Sequence, residues 1–170
     1  ITSLKGIDLS KVGSGNFGAT NVYRACGFKI AALVFFCDAL KAAIPTYISM
    51  QVFANPWAHV GIGALAVVGH TFSVFVQFKG GRGVAPSLGV LFALAPQITF
   101  PVFLVGFLLI ARFRYVAPVS IVGSLCFPFL LYFFGYPRPY VAVVSLLAAY
   151  IVWKHRANIG RILKGKELKV

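Results

Sequence analysis

The stretch VAPSLGVLFALAPQITFPVFLVGFLLIA, residues 84–111, is apolar for 28 residues and carries Pro96 near its middle. At about 1.5 Å per residue one continuous helix would be roughly 42 Å long, against a bilayer core of about 30 Å. Two readings are open. Either one tilted helix kinks at the proline, or two short helices of roughly 21 Å enter the membrane and return. The choice decides the face on which each later segment emerges.

Four further apolar runs, residues 28–54, 57–78, 116–134 and 140–153, surround it. Hydrophobic residues make up 59% of the chain and charged residues 11%, and the mean hydropathy is +0.88, so the chain reads as an integral membrane protein. None of the runs alternates as a barrel strand would, and backbone groups in hydrocarbon must pair within their own segment. The expected fold is therefore all-α. No polar linker or repeat divides residues 1–170, which predicts a single domain.

Charge chooses between the two readings of residues 84–111. There are 16 Lys and Arg but only three acids, Asp8, Asp38 and Glu167, for a net charge of +13. With one long helix the basic residues divide seven against eight. With a break, 14 share one face, Arg138 stands alone on the other, and Lys41 lies within a span. The positive-inside rule selects the break. The expectation is a polytopic bundle of six helices, two of them short and broken near Pro96, with the basic face toward the cytoplasm. The chain opens at Ile1 without methionine or a span before Gly13, which suggests a shortened N terminus.

The basic residues cluster at the ends of apolar runs, not in a stripe with exposed aromatics, which points to lipid headgroups and phosphorylated ligands and away from nucleic acid. Cys26, Cys37 and Cys126 are widely spaced, and the acids and histidines are scattered, so neither metal nor cofactor is expected. Asp38 and Lys41, three residues apart, are expected to neutralise each other within the membrane. His59 and His70 read as core or interfacial residues with a satisfied nitrogen. The 17 Phe and 7 Tyr supply lipid-facing and interfacial packing and part of the wall for an acyl chain.

Three polar clusters share the basic face. Residues 13–24, GSGNFGATNVYR, contain no acid; Gly13, Gly15 and Gly18 allow close backbone approach to an anion, Ser14, Asn16, Thr20 and Asn21 offer polar contacts, and Arg24 closes the segment. Residues 78–86, FKGGRGVAP, place Lys79, Gly80, Gly81, Arg82 and Gly83 before a helix, whose free N–H groups and dipole favour anions. Residues 153–167, WKHRANIGRILKGKE, set His155 and Asn158 three apart, on one helical face, with Arg156 and Arg161 near them.

In the forms VGSGNFGATNVYRACG, FKGGRGVA and KHRANIGRILKGKE, these stretches resemble the motifs of the bacterial acyl-phosphate-dependent glycerol-3-phosphate acyltransferases of the PlsY type, across nearly the whole chain. The resemblance implies transfer of a fatty acyl group from acyl phosphate to the 1-hydroxyl of glycerol 3-phosphate, giving lysophosphatidic acid and phosphate, in the bacterial inner membrane. It implies membrane lipids and the enzyme that makes acyl phosphate as functional neighbours. It places Ser14 and Arg24 in the first motif, assigns the Gly80–Gly83 loop to glycerol 3-phosphate, and completes the site with His155 and Asn158. Glu167 matches a glutamate of structural role. The sequence departs from the family where Arg82 replaces a lysine and Pro86 a small hydroxyl residue, and the resemblance implies a first transmembrane helix that is expected to be missing ahead of Ile1.

An acyl phosphate already has a good leaving group, so the chemistry asks mainly for two anions to be positioned and neutralised. No carboxylate stands beside the glycine-rich segment as an obvious base. That leaves His155, or a phosphate oxygen of the donor, to take the hydroxyl proton. Rival readings are Ser14 as a covalent nucleophile, though without a neighbouring base, and a small anion transporter with a basic mouth.

Overall fold

The computed structural model describes residues 6–170, which contain eight α-helices and two single turns of 3-10 helix, and no strand. In chain order they are α1 (Ala19–Cys26), α2 (Phe28–Val52), α3 (Pro56–Thr71), α4 (Val84–Leu94), α5 (Pro96–Phe113), α6 (Val116–Phe133), α7 (Arg138–Lys154) and α8 (Arg156–Leu163). The six apolar segments are α2 to α7. The two additional helices, α1 and α8, come from the first and third polar clusters and are too short to span. Lys5, counted with the basic face, lies outside the described residues.

The break falls at Ala95, directly before Pro96. A residue preceding proline is pushed out of the helical region, and Ala95 sits at φ −147°, ψ 60°. Pro96 then starts α5, where its missing N–H is not needed. Thr99, fully buried, staples the joint: its hydroxyl donates to the carbonyls of Leu91 at 3.0 Å and Ala95 at 2.8 Å. The halves are unequal. The 11 residues of α4 extend roughly 16 Å, while α5, with 18, is long and apolar enough to cross a bilayer.

Helix α2 packs on α3 and α4, α3 on α7, α6 on α7, and α5 on α4 and α6. Val60, Val67, Val90, Leu94, Phe127, Leu131 and Val144 form the centre of the core. Close approach of α2 to α4 depends on Gly89, where a Cβ would strike the Ala39 carbonyl. The Tyr136 hydroxyl donates to Gln97 Oε1 at 3.0 Å, tying the start of α5 to the α6–α7 connection. At the other end of α5, Arg114 Nε donates to the Val170 carbonyl at 2.6 Å. The chain thus goes out along α4 and returns along α5, which gathers the three polar clusters at one end of the bundle.

Lys41 Nζ lies 2.6 Å from Asp38 Oδ1, the expected pair, and also 2.7 Å from His70 Nδ1. His70 is the penultimate residue of α3, so the pair sits level with that end of the shorter helix. The 25-residue α2 outruns the 16-residue α3, which brings Asp38 level with the end of α3. Both ring nitrogens of His59 are engaged, one with the Tyr140 hydroxyl and one with the Phe53 carbonyl, each at 2.7 Å.

Candidate functional site

A cavity of about 670 Å³ opens at the end where the clusters meet. Ser14, Asn16, Gly18, Thr20 and Arg24 reach its wall from the first cluster, Arg82 and Gly83 from the second, and His155, Asn158 and Glu167 from the third. Beyond this polar pole the walls turn apolar, with Phe35 and Phe36 of α2, Leu88 and Leu91 of α4, Phe103 and Phe107 of α5, and Val119 and Phe127 of α6. Phe103 bridges the gap, its ring centroid 6.1 Å from that of Phe35 and 5.7 Å from that of Phe92. From Val116 to Phe127 the cavity follows α6 for roughly 16 Å. No lining residue comes from the connections at the opposite end, residues 53–55 and 134–137.

The first cluster is built around Asn21, which is fully buried and does not line the cavity. Its amide donates to the carbonyls of Leu9 at 3.1 Å and Val12 at 2.9 Å, and its oxygen accepts from the Ser14 N–H at 2.9 Å. Asn21 therefore shapes the loop that presents Ser14. Gly13, at φ +57°, makes room for it, since a Cβ there would lie 2.5 Å from Asn21 Oδ1. Gly15, at φ +68°, completes the turn and lies off the cavity wall. Gly18 caps α1, which brings Thr20 and Arg24 round to the cavity.

The second cluster divides in the same way. Lys79 is exposed, and Gly80 and Gly81 lie against the end of α3; none of the three lines the cavity. Gly83, left-handed at φ +86°, is the N-cap of α4 and turns the chain so that Arg82 faces inward. Pro86 occupies the third position of α4 and has no N–H, leaving Val84 and Ala85 as free donors at this terminus.

His155 is the hinge between α7 and α8 and is buried, as is Asn158. The Ile151 carbonyl lies 2.8 Å from His155 Nδ1, which fixes the ring proton there and leaves Nε2 as an acceptor. Burial, reinforced by the Arg82 charge, pushes the imidazole below its ordinary value despite that hydrogen bond, so it is neutral at pH 7. Asn158 Nδ2 donates to Glu167 Oε1 at 2.6 Å, and Arg161 Nε donates to Oε2 at 3.0 Å. Asn158 Oδ1 is buried without a partner.

Arg24 donates from Nη2 to the Leu168 carbonyl at 2.9 Å and from Nε to the Lys169 carbonyl at 3.1 Å, which draws the tail across the mouth. Burial lowers the pKa of Arg24 and of Arg82; Arg161 adds to both shifts, while Glu167 opposes them. Three guanidinium groups around one carboxylate make an electropositive pole suited to phosphate. Among the described residues no hydrogen bond engages the Arg82 guanidinium. Beyond the motif residues assigned to the site, the structure adds Arg161 to the pole and turns the hydroxyl of Ser87, buried and unpartnered, toward the cavity. Arg161 lies in the third motif, where its charge alone does not mark it as part of the arginine pole, and Ser87 lies just past the second motif, so it is its burial and position that bring it to the cavity. No group of three or more metal-ligating side chains occurs among the described residues.

A sequence model of the family described as glycerol-3-phosphate acyltransferase matches residues 1–165. The glycerol-3-phosphate acyltransferase of Aquifex aeolicus is 44% identical over 168 residues, covering 98% of this chain and 88% of that protein. A glycerol-3-phosphate acyltransferase of Thermus thermophilus is 41% identical over 165 residues, covering 97% and 83%. Among solved structures, the glycerol 3-phosphate form of PlsY (YgiH), an integral membrane glycerol 3-phosphate acyltransferase, superimposes with a TM-score of 0.94 at 43% identity, covering 99% of this chain and 84% of that one. Its lysophosphatidic acid form gives a TM-score of 0.91 at 41% identity. With the all-helical membrane architecture, these likenesses assign the chain to the glycerol-3-phosphate acyltransferase family, as an integral membrane acyltransferase.

Proposed function

We propose that this acyltransferase, acting as one unit over residues 1–170, takes its acyl group from acyl phosphate and delivers it to the 1-hydroxyl of glycerol 3-phosphate, forming lysophosphatidic acid and phosphate. The observation that carries this reading is the continuity of an arginine-lined pole with an apolar pocket in a single cavity of about 670 Å³. A fatty acyl phosphate has that same division, a charged head on a long apolar chain.

In this reading the acyl chain lies between α2, α4, α5 and α6, and its phosphate meets Arg24, the Ser14 hydroxyl, and the Asn16 and Thr20 side chains near Gly18. Glycerol 3-phosphate places its phosphate on Arg82 and the free N–H groups that follow Gly83. His155 Nε2 and Asn158 Oδ1 accept from its hydroxyls and aim one at the acyl carbon. The hydroxyl oxygen bonds to that carbon, the carbon–oxygen bond to phosphate breaks, and the hydroxyl proton passes to the departing phosphate. Direct transfer is preferred to an acyl-enzyme because, among the described residues, no base hydrogen-bonds the Ser14 hydroxyl. The basic end faces the cytoplasm of the bacterial inner membrane, where the enzyme that makes acyl phosphate can supply it.

Purified protein given acyl phosphate and glycerol 3-phosphate is expected to release phosphate and form lysophosphatidate, with acyl-CoA a poor donor. Equal use of acyl-CoA would overturn the donor assignment. A labelled acyl group trapped on Ser14 would overturn direct transfer.

A further inference from the structure

Gly80 and Gly81 do not face the cavity; they are laid on His70. The Gly80 N–H donates to the Thr71 carbonyl at 3.1 Å, and a Cβ at Gly80 would strike the carbonyls of His70 and Thr71. A Cβ at Gly81 would strike His70 Nε2. Neither glycine has the positive φ of the left-handed region, so these positions need glycine for space and not for backbone conformation.

The His70 ring is held from its other side. Its Nδ1 lies 2.7 Å from Lys41 Nζ and 3.4 Å from Asp38 Oδ1, and Lys41 Nζ is 2.6 Å from the same carboxylate oxygen. An ammonium group has only donors, so Nδ1 accepts and the opposite edge of the ring, with Nε2, is turned to Gly81. The His70 side chain is 8% exposed, set between this pair and the loop, and with Asp38 it also borders the cavity. One residue beyond Gly81, Arg82 enters the cavity.

We propose that Asp38, Lys41 and His70 form a platform on α2 and α3 that sets the height of the Gly80–Gly81 backbone and through it the reach of Arg82. His70 is thus a positioning residue for the phosphate of glycerol 3-phosphate. The role of Gly81 is to let the loop lie flat on the ring. This inference rests on the assignment of Arg82 to that phosphate.

The test is a kinetic cycle of His70→Ala, Gly81→Ala and the double variant, on purified protein whose folding is checked by thermal unfolding. Gly81→Ala alone is expected to raise KM for glycerol 3-phosphate about tenfold or more, leaving KM for the acyl donor unchanged. In the double variant the added methyl fills the space the ring has left, so KM is no worse than with His70→Ala alone. Penalties that multiply would overturn the platform and place Gly81 against the ligand. If His70→Ala does not fold, His70→Gln, slimmer at the Gly81 side and able to accept from Lys41, enters the same cycle with the same two outcomes. Arg82→Ala leaving KM for glycerol 3-phosphate unchanged would sink the assignment of Arg82, whereas the coupling between positions 70 and 81 reports on the platform itself.

Discussion

Asn158 Nδ2 and Glu167 Oε1 are 2.6 Å apart, a charge-assisted hydrogen bond that fastens the tail to α8 and turns Asn158 Oδ1 free. Glu167 also holds Arg161, so truncating it strands the buried Asn158 amide, at about 1–3 kcal/mol, and releases the partly exposed Arg161. Glu167→Ala is expected to lower the thermal unfolding midpoint strongly. Glu167→Gln, which retains an acceptor for Asn158, is expected to recover part of the loss. Equal midpoints for wild type and Glu167→Ala would show that the tail carries no structural weight.

The two cavity arginines make separable predictions. Arg24 both faces the cavity and grips two tail carbonyls, so Arg24→Ala is expected to cut kcat/KM by about 10²-fold or more. Arg82→Lys keeps the charge but replaces a planar fork by a point cation. Its expected effect is a rise of a few-fold in KM for glycerol 3-phosphate with kcat retained, and Arg82→Ala raises KM further. Steady-state kinetics with each substrate varied separately distinguishes these outcomes.

His155 carries a pH prediction. Burial lowers its pKa below the ordinary value of about 6.5, so the ring is neutral above that pH and protonates only as pH falls through the lowered value. Stability from keeping it neutral is complete above about 6.5 and is lost as pH falls toward the folded-state value. Activity that uses Nε2 as an acceptor is expected to fall as pH drops through that lowered value, and His155→Gln to lose that limb while the donor phosphate's own titration near pH 6 persists. If His155→Gln abolishes turnover as fully as Arg24→Ala while binding stays intact, His155 is the base and substrate assistance is wrong.

The break at Ala95 has its own test. Thr99→Val removes the hydroxyl that serves the Leu91 and Ala95 carbonyls, at an expected cost of about 1–3 kcal/mol. Gly89→Ala, which drives a methyl against the Ala39 carbonyl, is expected to cost more, because two helix backbones must separate. Thermal unfolding in detergent orders the two variants. A milder effect from Gly89→Ala would mean that α2 and α4 can part freely.

The helical membrane fold was readable from Pro96 and the distribution of Lys and Arg, since bilayer thickness and the positive-inside rule act on segments one at a time. The three motifs converge on one cavity, but their order does not separate residues that reach its wall from residues that shape the loops. In GSGNFGATNVYR, Ser14 and Arg24 reach the cavity wall while Asn21 and Gly13 are spent on folding the loop. Nothing in their one-dimensional order separates the two groups.

What the sequence by itself determined was the set of spans, the break, the side on which charge collects, and the motifs that mark the family. These rest on local rules: hydropathy, the missing proline N–H, and the cost of moving charge across lipid. Only the tertiary structure decided that Asp38 and Lys41 meet His70, that Gly81 lies on its ring while Gly80 lies on the carbonyls of His70 and Thr71, and that the arginine pole opens into an apolar pocket. The reason is that α2 outruns α3 and that α5 returns beside α6, and such offsets are set by packing between distant segments, as at Gly89 against Ala39.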